Sequence, residues 1–278
     1  MSAVQIELSG ACAVLTIDNP PVNGITLEVR EHLYKELLTA IEDPSVSAIV
    51  IAGRGDQFSA GADIRQFNTP ASLQRPLTRD LHELISRSSK PVVAALHGYA
   101  LGGALELALG CHFRIATPMT MLGLPEVKLG LIPGGGGTQR LPRLIGLAPA
   151  LDMIQTGTFI GGSEAYELGL VDALTNGAVK DAVEFALSQL STPVFLPLAS
   201  RRCLNADGID FVARRDAVPG SADNRRAQLA VIMSIEAGLL LDFERALTNE
   251  RVIFDDLVSG AESAALREAF LARRRAPL

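Results

Sequence analysis

Aromatic side chains and cysteines are scarce in this sequence. Among 278 residues there are three tyrosines, ten phenylalanines and no tryptophan, and the three cysteines, Cys12, Cys111 and Cys203, are far apart and form no Cys-x-x-Cys pair. An odd number of widely spaced thiols does not predict the disulfide framework of a small secreted domain. The core is therefore expected to be aliphatic, and the thiols favour a reducing compartment, which we take to be the cytoplasm.

Basic residues are fewer than acidic ones. The sequence has 25 lysines and arginines and 31 aspartates and glutamates, which gives a net charge of −6. Nucleic-acid-binding domains usually present a broad positive field, so no nucleic-acid partner is predicted. The N-terminus lacks a charged segment followed by an apolar run, and no secretory signal is expected.

One apolar stretch, residues 91–111, has the length of a membrane span, for which about 20 residues are needed. It contains His97, Glu106 and four glycines. A buried glutamate and this density of glycine fit a buried strand followed by a helix better than a membrane helix. We therefore predict no membrane span.

Several signatures that would indicate other chemistries are incomplete. The glycine run 134–137 lacks the lysine of a phosphate-binding loop, and no G-x-G-x-x-G follows a first strand. Residues 57–61 have Gln57 where a nucleophile elbow needs glycine. The histidines lack metal-ligand spacing, so no metal is predicted. They are His32, His82, His97 and His112.

Hydrophobic patterning predicts a mixed α/β body followed by helices. A hairpin, a helix, a strand, a helix and a strand are expected, in that order, at 4–17, 27–41, 47–52, 77–85 and 91–96. From about residue 138 the patterns are mostly helical, and no linker or fixed-period repeat interrupts the chain. We expect a core over residues 1–200 and a C-terminal helical region over 201–278.

Two glutamates and a glycine pair stand out, each with an ordinary alternative. Glu106 lies in an otherwise apolar helix, where a carboxylate is costly unless it is used or paired, with Arg114 or Lys128 as possible partners. Glu126 follows a proline between apolar segments and could be a plain exposed loop carboxylate. The pair at 102–103 could be a tight turn from strand to helix.

Three sequence blocks taken together indicate a family more specifically than any of these residues does alone. They are FSAGADI at 58–64, HGYALGGALELA at 97–108 and LPEVKLGLIPG at 124–134. Their order and spacing resemble the enoyl-CoA hydratase/isomerase, or crotonase, superfamily, and the resemblance continues through 137–143 and 164–172. It covers nearly the whole chain. The resemblance implies an α/β crotonase fold, a superhelix of ββα units with a C-terminal α-helical region.

The resemblance also implies an activity and a site. A thioester that reacts beside its carbonyl develops negative charge on the carbonyl oxygen, and backbone N–H groups stabilise that charge. By motif these donors are Ala62 and Gly103, while Glu106 activates the water and Glu126 protonates Cα in an enoyl-CoA hydratase. Coenzyme A enters as part of the substrate, so no separate cofactor is implied. Its pantetheine and adenine are expected against Val22, Ala60, Asp63, Ile64 and Arg65.

Alternatives remain within and outside this activity. A Δ3-Δ2-enoyl-CoA isomerase or another crotonase-type acyl-CoA reaction would use the same site, and a non-catalytic member that binds RNA or a protein complex is a remote possibility. Residues 19–23 and the tail 265–275 resemble the hydratase half of bifunctional fatty-acid oxidation enzymes. A separate 3-hydroxyacyl-CoA dehydrogenase is thus a possible partner, unless the chain is a fragment. The family also implies a homotrimer or hexamer.

Overall fold

The computed structural model describes residues 2–191, 199, 202–206 and 208–275. The chain divides into two compact units: Met1–Leu122 with Ile160–Arg201, and Gly123–Phe159 with Arg202–Leu278. The boundary predicted between residues 200 and 201 lies outside the described residues. The segment Gly123–Phe159, which the sequence analysis assigned to the core, groups with the C-terminal part.

A six-stranded sheet forms the centre of the first unit. Its strands are β1 (Val4–Ser9), β2 (Cys12–Ile17), β3 (Ala48–Gly53), β4 (Val92–Leu96), β6 (Phe113–Ala116) and β9 (Ala173–Leu174), in the order β1-β2-β3-β4-β6-β9. The predicted hairpin is confirmed, since β1 is antiparallel to β2 and Val4 pairs with Ile17. The remaining pairs are parallel. Every residue of β3 and β4 is buried, which is typical of parallel strands covered on both faces.

A second, smaller sheet consists of three-residue strands, β5 (Tyr99–Leu101), β7 (Met121–Gly123) and β8 (Phe159–Gly161), in the order β5-β7-β8. The helices of the first unit are α1 (Leu27–Glu42), α2 (Pro70–Leu73), α3 (Thr78–Ser86), α4 (Gly103–Gly110), α7 (Gly162–Glu167) and α8 (Ala178–Ser188). The side chain of Thr26 caps α1 by accepting from the Val29 N–H, so this helix begins close to the predicted residue. Small residues let α8 pack closely on the large sheet, with Ala182 and Ala186 in one core with Val50.

The second unit is helical, as predicted for the later part of the chain. Its helices are α5 (Gly137–Ile145), α6 (Leu147–Thr156), α9 (Phe211–Asp216), α10 (Arg225–Ala237), α11 (Phe243–Val258) and α12 (Ala261–Arg275), with a 3₁₀ helix at Pro125–Leu129. Residues 222–256 contain α10 and most of α11. The side chains of Arg274 and Arg275, at the end of α12, lie outside what the structure describes.

The stretch 91–111 is divided among β4, β5 and α4. None of the helices in the described part of the chain combines the length and the apolar character needed to cross a membrane.

A buried histidine just before β6 is expected to make the first unit sensitive to acid. His112 is 4% exposed, and its Nδ1 accepts from the Val92 N–H at 3.0 Å. Burial, with the nearby charge of Arg114, lowers the pKa of His112 from 6.5 to about 4. The unfolded chain therefore binds more protons between these values, and the stability is complete above pH 6.5 and falls as the pH decreases towards 4.

We expect the free energy of unfolding to fall by about 3 kcal/mol over this range because of His112 alone. Replacing His112→Asn keeps an acceptor for Val92 but removes the titration, so its urea-unfolding free energy should depend less steeply on pH. Parallel curves for the two proteins between pH 7 and 4 would contradict the assignment.

Candidate functional site

The turn that leads into α4 brings two backbone N–H groups together. Gly102 has φ 51° and ψ −130°, a conformation open essentially to glycine alone. A Cβ added at Gly103 would lie 3.4 Å from the Ala62 nitrogen, and one added at Gly61 would lie 3.6 Å from the Gly103 nitrogen. Ala62 and Gly103 are therefore neighbours, although 41 residues of sequence separate them.

Backbone pairing with β5 fixes the segment that carries Ala62. The Ser59 N–H donates to the Tyr99 carbonyl at 3.0 Å, and the Leu101 N–H donates to the Ser59 carbonyl at 3.2 Å. Gly61 follows with φ 102°, and a Cβ there would lie 2.6 Å from the Leu101 oxygen. This close approach requires glycine, and it sets Ala62 beside the start of α4.

Both N–H groups are available to a ligand. Within the described residues, neither the Ala62 nor the Gly103 N–H donates to a protein acceptor, and both residues are partly exposed. Gly103 is the first residue of α4, where N–H groups have no acceptor within the helix and the helix dipole is positive. Two such donors side by side can stabilise negative charge that develops on an oxygen.

Glu106 lies one turn into α4, on the same helix face as Gly103 because three residues separate them. It is 4% exposed, and its N–H donates to the Gly102 carbonyl at 2.9 Å. The Nε2 of buried His82 donates to the Glu106 carbonyl at 2.9 Å and so holds this turn of the helix. A Cβ at Gly110 would lie 1.9 Å from the His82 ring, which explains the glycine at the end of α4.

Arg114 is not the partner of Glu106 that the sequence analysis considered. Its guanidinium is buried and forms an ion pair with Asp172 at 3.2 Å, and it also donates to the carbonyls of Leu170 at 2.8 Å and Cys111 at 3.1 Å. These bonds join β6 to the segment before β9. Arg114 is thus a structural residue, which removes one ordinary explanation for a glutamate inside α4.

The residues predicted to bind coenzyme A lie on either side of Ala62. The Ala60 N–H donates to the Val22 carbonyl at 3.0 Å, which joins the two segments. Asp63 caps the 3₁₀ turn Ile64–Gln66, and the Arg65 guanidinium pairs with it at 2.8 Å. Burial raises the pKa of Asp63, but the hydrogen bonds and charge of Arg65 outweigh burial and the net shift is downward. The Asp63 side chain therefore has a structural role as the cap of this turn.

A buried arginine that the sequence analysis did not single out anchors the segment that follows. Arg30 of α1 is 8% exposed. Its Nε donates to the Pro76 carbonyl at 2.7 Å, and its Nη2 donates to the Ala71 carbonyl at 2.8 Å and the Gln74 carbonyl at 3.2 Å. Residues 71–76 are thus tied to α1 through main-chain oxygens. Its position on the apolar stripe of α1, three residues before Leu33, is the sequence signal that could have identified it.

Glu126 belongs to the second unit. It is the second residue of the 3₁₀ helix Pro125–Leu129, it is half-buried, and its Oε2 is shielded from solvent. Its carbonyl accepts from the Leu131 N–H at 3.1 Å, across the left-handed turn at Gly130 with φ 67°. The alternative of a plain exposed loop carboxylate is therefore wrong. Nearby Lys128 is exposed and lies 5.0 Å from the Phe159 ring centre.

In the part of the chain that the structure describes, no group of three or more His, Cys, Asp or Glu side chains is arranged to hold a metal ion.

Comparison with known proteins identifies the family. The family model described as enoyl-CoA hydratase/isomerase matches residues 7–190. The chain is 41% identical over 273 residues to a peroxisomal bifunctional enzyme from Danio rerio, covering 95% of this chain and 37% of that protein, so it spans less than two fifths of that relative. It is 48% identical over 176 residues to a probable enoyl-CoA hydratase from Bacillus subtilis, covering 62% of this chain and 68% of the relative.

A solved enoyl-CoA hydratase/isomerase from Pseudoalteromonas atlantica has the same fold, with a TM-score of 0.72, 24% identity and 99% of each chain covered. The predicted crotonase fold, mixed α/β with a helical C-terminal region, is confirmed. On the family match and these relatives, the chain belongs to the enoyl-CoA hydratase/isomerase family.

Proposed function

We propose that this chain is an enoyl-CoA hydratase, which adds water syn across the 2,3 double bond of a 2-enoyl-CoA. The observation that carries the proposal is the pair of available N–H groups at Ala62 and Gly103, with Glu106 buried one turn further along α4. A thioester enolate needs such donors at its oxygen, and hydration needs a base beside them. Family membership supports the same activity.

In the proposed mechanism, the thioester oxygen accepts hydrogen bonds from Ala62 and Gly103. Glu106 removes a proton from water while the water oxygen bonds to Cβ, and the electrons of the double bond move towards the thioester to give an enolate. Glu126, protonated at the start, then gives its proton to Cα as the carbonyl re-forms, and exchange with solvent removes the proton from Glu106 and restores the one on Glu126 before the next turnover. The role of Glu126 rests on its motif at 124–134 and on family membership. The net change is one water added, so no redox cofactor or metal is required by the chemistry.

Coenzyme A is proposed to arrive as part of the substrate and to lie along Val22, Ala60, Asp63, Ile64 and Arg65. The support is their grouping around Ala62, the residue proposed to bind the thioester oxygen. Arg65 is exposed and paired on one side with Asp63, so the guanidinium is held in a defined place near the surface.

The partners remain proposals. A 3-hydroxyacyl-CoA dehydrogenase would consume the hydrated product, and the chain is similar to part of a protein that is named a bifunctional enzyme. We also propose a homotrimer or hexamer in the cytoplasm. Light scattering after size exclusion would measure the mass, and a monomer at micromolar concentration would reject the oligomer.

The activity test is the loss of enoyl-thioester absorbance with crotonyl-CoA, extended to 2-enoyl-CoA esters of four to sixteen carbons. We expect hydration by the wild type and a loss of at least about 10²-fold in kcat for Glu106→Gln, because the amide cannot accept the water proton. The family name also covers isomerases, so 3-enoyl-CoA is assayed in parallel. Moving a proton between two carbons needs a single base, so isomerisation should fall less than hydration in this variant.

Glu31→Gln, at an exposed position of α1, is the matched control and should hydrate at the wild-type rate. Turnover of 3-enoyl-CoA without hydration would replace the hydratase assignment with an isomerase. RNA binding at moderate salt without turnover of any ester would instead favour the non-catalytic alternative.

A further inference from the structure

The glycine run at 134–137, here called the glycine turn, has no part in the proposed chemistry. It leads into α5, whose first residue is Gly137, and Gly136 has φ 105°. A glycine-rich turn that leads into a helix exposes several backbone N–H groups and favours an anion at the helix start. The sequence alone left this feature unexplained, because the run lacks the lysine of a phosphate-binding loop.

The anion at this position is a carboxylate of the same chain. Glu250 of α11 is 1% exposed, and 112 residues separate it from Thr138. Its Oε1 accepts from the Gly136 N–H at 2.5 Å. Its Oε2 accepts from the Thr138 N–H at 2.8 Å and from the Thr138 hydroxyl at 2.5 Å. Glu250 therefore occupies the place that an external anion would take in a phosphate-binding turn.

Side chains of α10 and α11 also contact the glycine turn and the start of α5. A Cβ at Gly134 would lie 2.7 Å from the ring of Phe254, which is one turn beyond Glu250 on α11. The Thr138 and Ser234 hydroxyls are 2.8 Å apart, which links α5 to α10. The turn and the start of α5 are thus fixed against two other helices, with the buried carboxyl group of Glu250 at the centre.

We propose that Glu250 is a positioning residue for Glu126, an inference that rests on the proposed function. Residues 126–134 connect the 3₁₀ helix to the glycine turn, and this segment is fixed near one end by the bond from the Leu131 N–H to the Glu126 carbonyl. Glu250 fixes the other end. A proton donor displaced by about 1 Å can lose about 10² in rate, so anchoring both ends of this short segment limits the movement of Glu126.

The first measurement is the kinetics of Glu250→Gln, which keeps the side-chain volume but turns an amide NH₂ towards N–H donors. We expect kcat for crotonyl-CoA to fall by about 10–100-fold and KM to change by less than about 3-fold, because coenzyme A is proposed to bind to other residues. The melting temperature should fall by about 5–10 °C, since buried donors lose their acceptor. Glu244→Gln, on an exposed face of α11, is the matched control and should behave as wild type.

A variant with a smaller effect is available in case Glu250→Gln does not fold. Thr138→Val removes the bonds of the hydroxyl to Oε2, to Ser234 and to the Gln139 side chain but retains the N–H bond to Oε2, so kcat and melting temperature should fall in the same direction by less. A Thr138→Val enzyme with wild-type kcat and a lowered melting temperature would show a structural role alone and would overturn the positioning role.

A double-mutant cycle separates positioning from general stability. If Glu250 acts through Glu126, the replacement Glu250→Gln should lower kcat by no more than about 2-fold once Glu126→Gln is already present. An equal fold-loss in both backgrounds would overturn the positioning role. Each protein is assayed well below its own melting temperature, so that unfolding does not contribute to the rates.

Whether the glycine turn binds an anion can be tested without an activity assay. Glu250→Ala leaves the glycine turn without its anion, and formate should raise the melting temperature of this variant above that in chloride at equal ionic strength, with no such difference for Glu244→Ala. Equal melting temperatures of Glu250→Ala in the two salts would contradict an anion site here. A wild type that hydrates no ester would reject the proposed function and the role towards Glu126, whereas the formate result would still measure the anion site by itself.

Discussion

Glu126→Gln is expected to lower kcat for crotonyl-CoA hydration by about 10²–10⁴-fold, because an amide has no proton that it can transfer to Cα. The substitution keeps the size of the side chain on the 3₁₀ helix Pro125–Leu129, so the fold of this turn should not change. KM should change much less than kcat, since coenzyme A is proposed to bind to residues of the other unit. Initial rates at saturating crotonyl-CoA measure the effect.

Glu244→Gln serves again as the control in the same unit, and equal melting temperatures of the two variants would show that the loss is chemical. A Glu126→Gln enzyme with turnover within a few-fold of wild type would remove Glu126 from the mechanism. Another group would then have to deliver the proton to Cα.

Gly103→Pro is expected to lower kcat/KM by about 10²–10³-fold relative to Gly103→Ala, since proline deletes the backbone N–H proposed to bind the thioester oxygen. Both variants add a Cβ, which would lie 3.3 Å from the Ala62 Cβ, so the steric change at this atom is shared. Proline is well tolerated at the first position of a helix, which Gly103 occupies in α4. The comparison therefore tests the Gly103 N–H together with the space in front of it, because the proline Cδ takes the place of the amide hydrogen.

Melting temperatures of the two Gly103 variants should agree within a few degrees, which checks that α4 still forms. Rates are compared with a short-chain substrate in excess of enzyme. If proline and alanine give equal kcat/KM values, the Gly103 N–H does not stabilise the reacting oxygen, and the role of Ala62 would have to be reconsidered with it.

Local patterns predicted those parts of the fold whose causes lie close together in the chain. The hairpin β1–β2 shows alternating apolar residues before a two-residue turn and a mostly apolar strand after it, and Thr26 caps an amphipathic helix at α1. Strands β5, β7 and β8 were not predicted, because three residues are too few to show a period of two. Their pairing is set by distant residues, which a local pattern does not contain.

In the candidate site too, the sequence predicted the features that depend on neighbouring residues and missed those that depend on distant ones. The motif around Ala62 and Gly103 predicted two donors, and the structure makes them neighbours. Position 102 is glycine because of its backbone angles, φ 51° and ψ −130°. A Gly-Gly pair in the sequence does not specify these angles, so from the sequence the pair could equally be a tight turn with no role in binding. Glu250 was missed because its neighbours in sequence are polar and its partners lie more than 110 residues away. In sequence it looks like any surface glutamate.

The anchoring of residues 71–76 by Arg30 has a consequence for how this protein can change. Arg30 binds three main-chain oxygens, and these are present whatever side chains the segment carries. Substitutions at Ala71 or Gln74 can therefore accumulate without releasing the segment, which follows shortly after the residues proposed to bind coenzyme A. Mutational diversity should be tolerated along this stretch and poorly tolerated at Arg30, which makes residues 71–76 a place where libraries can be introduced with the path of the backbone retained.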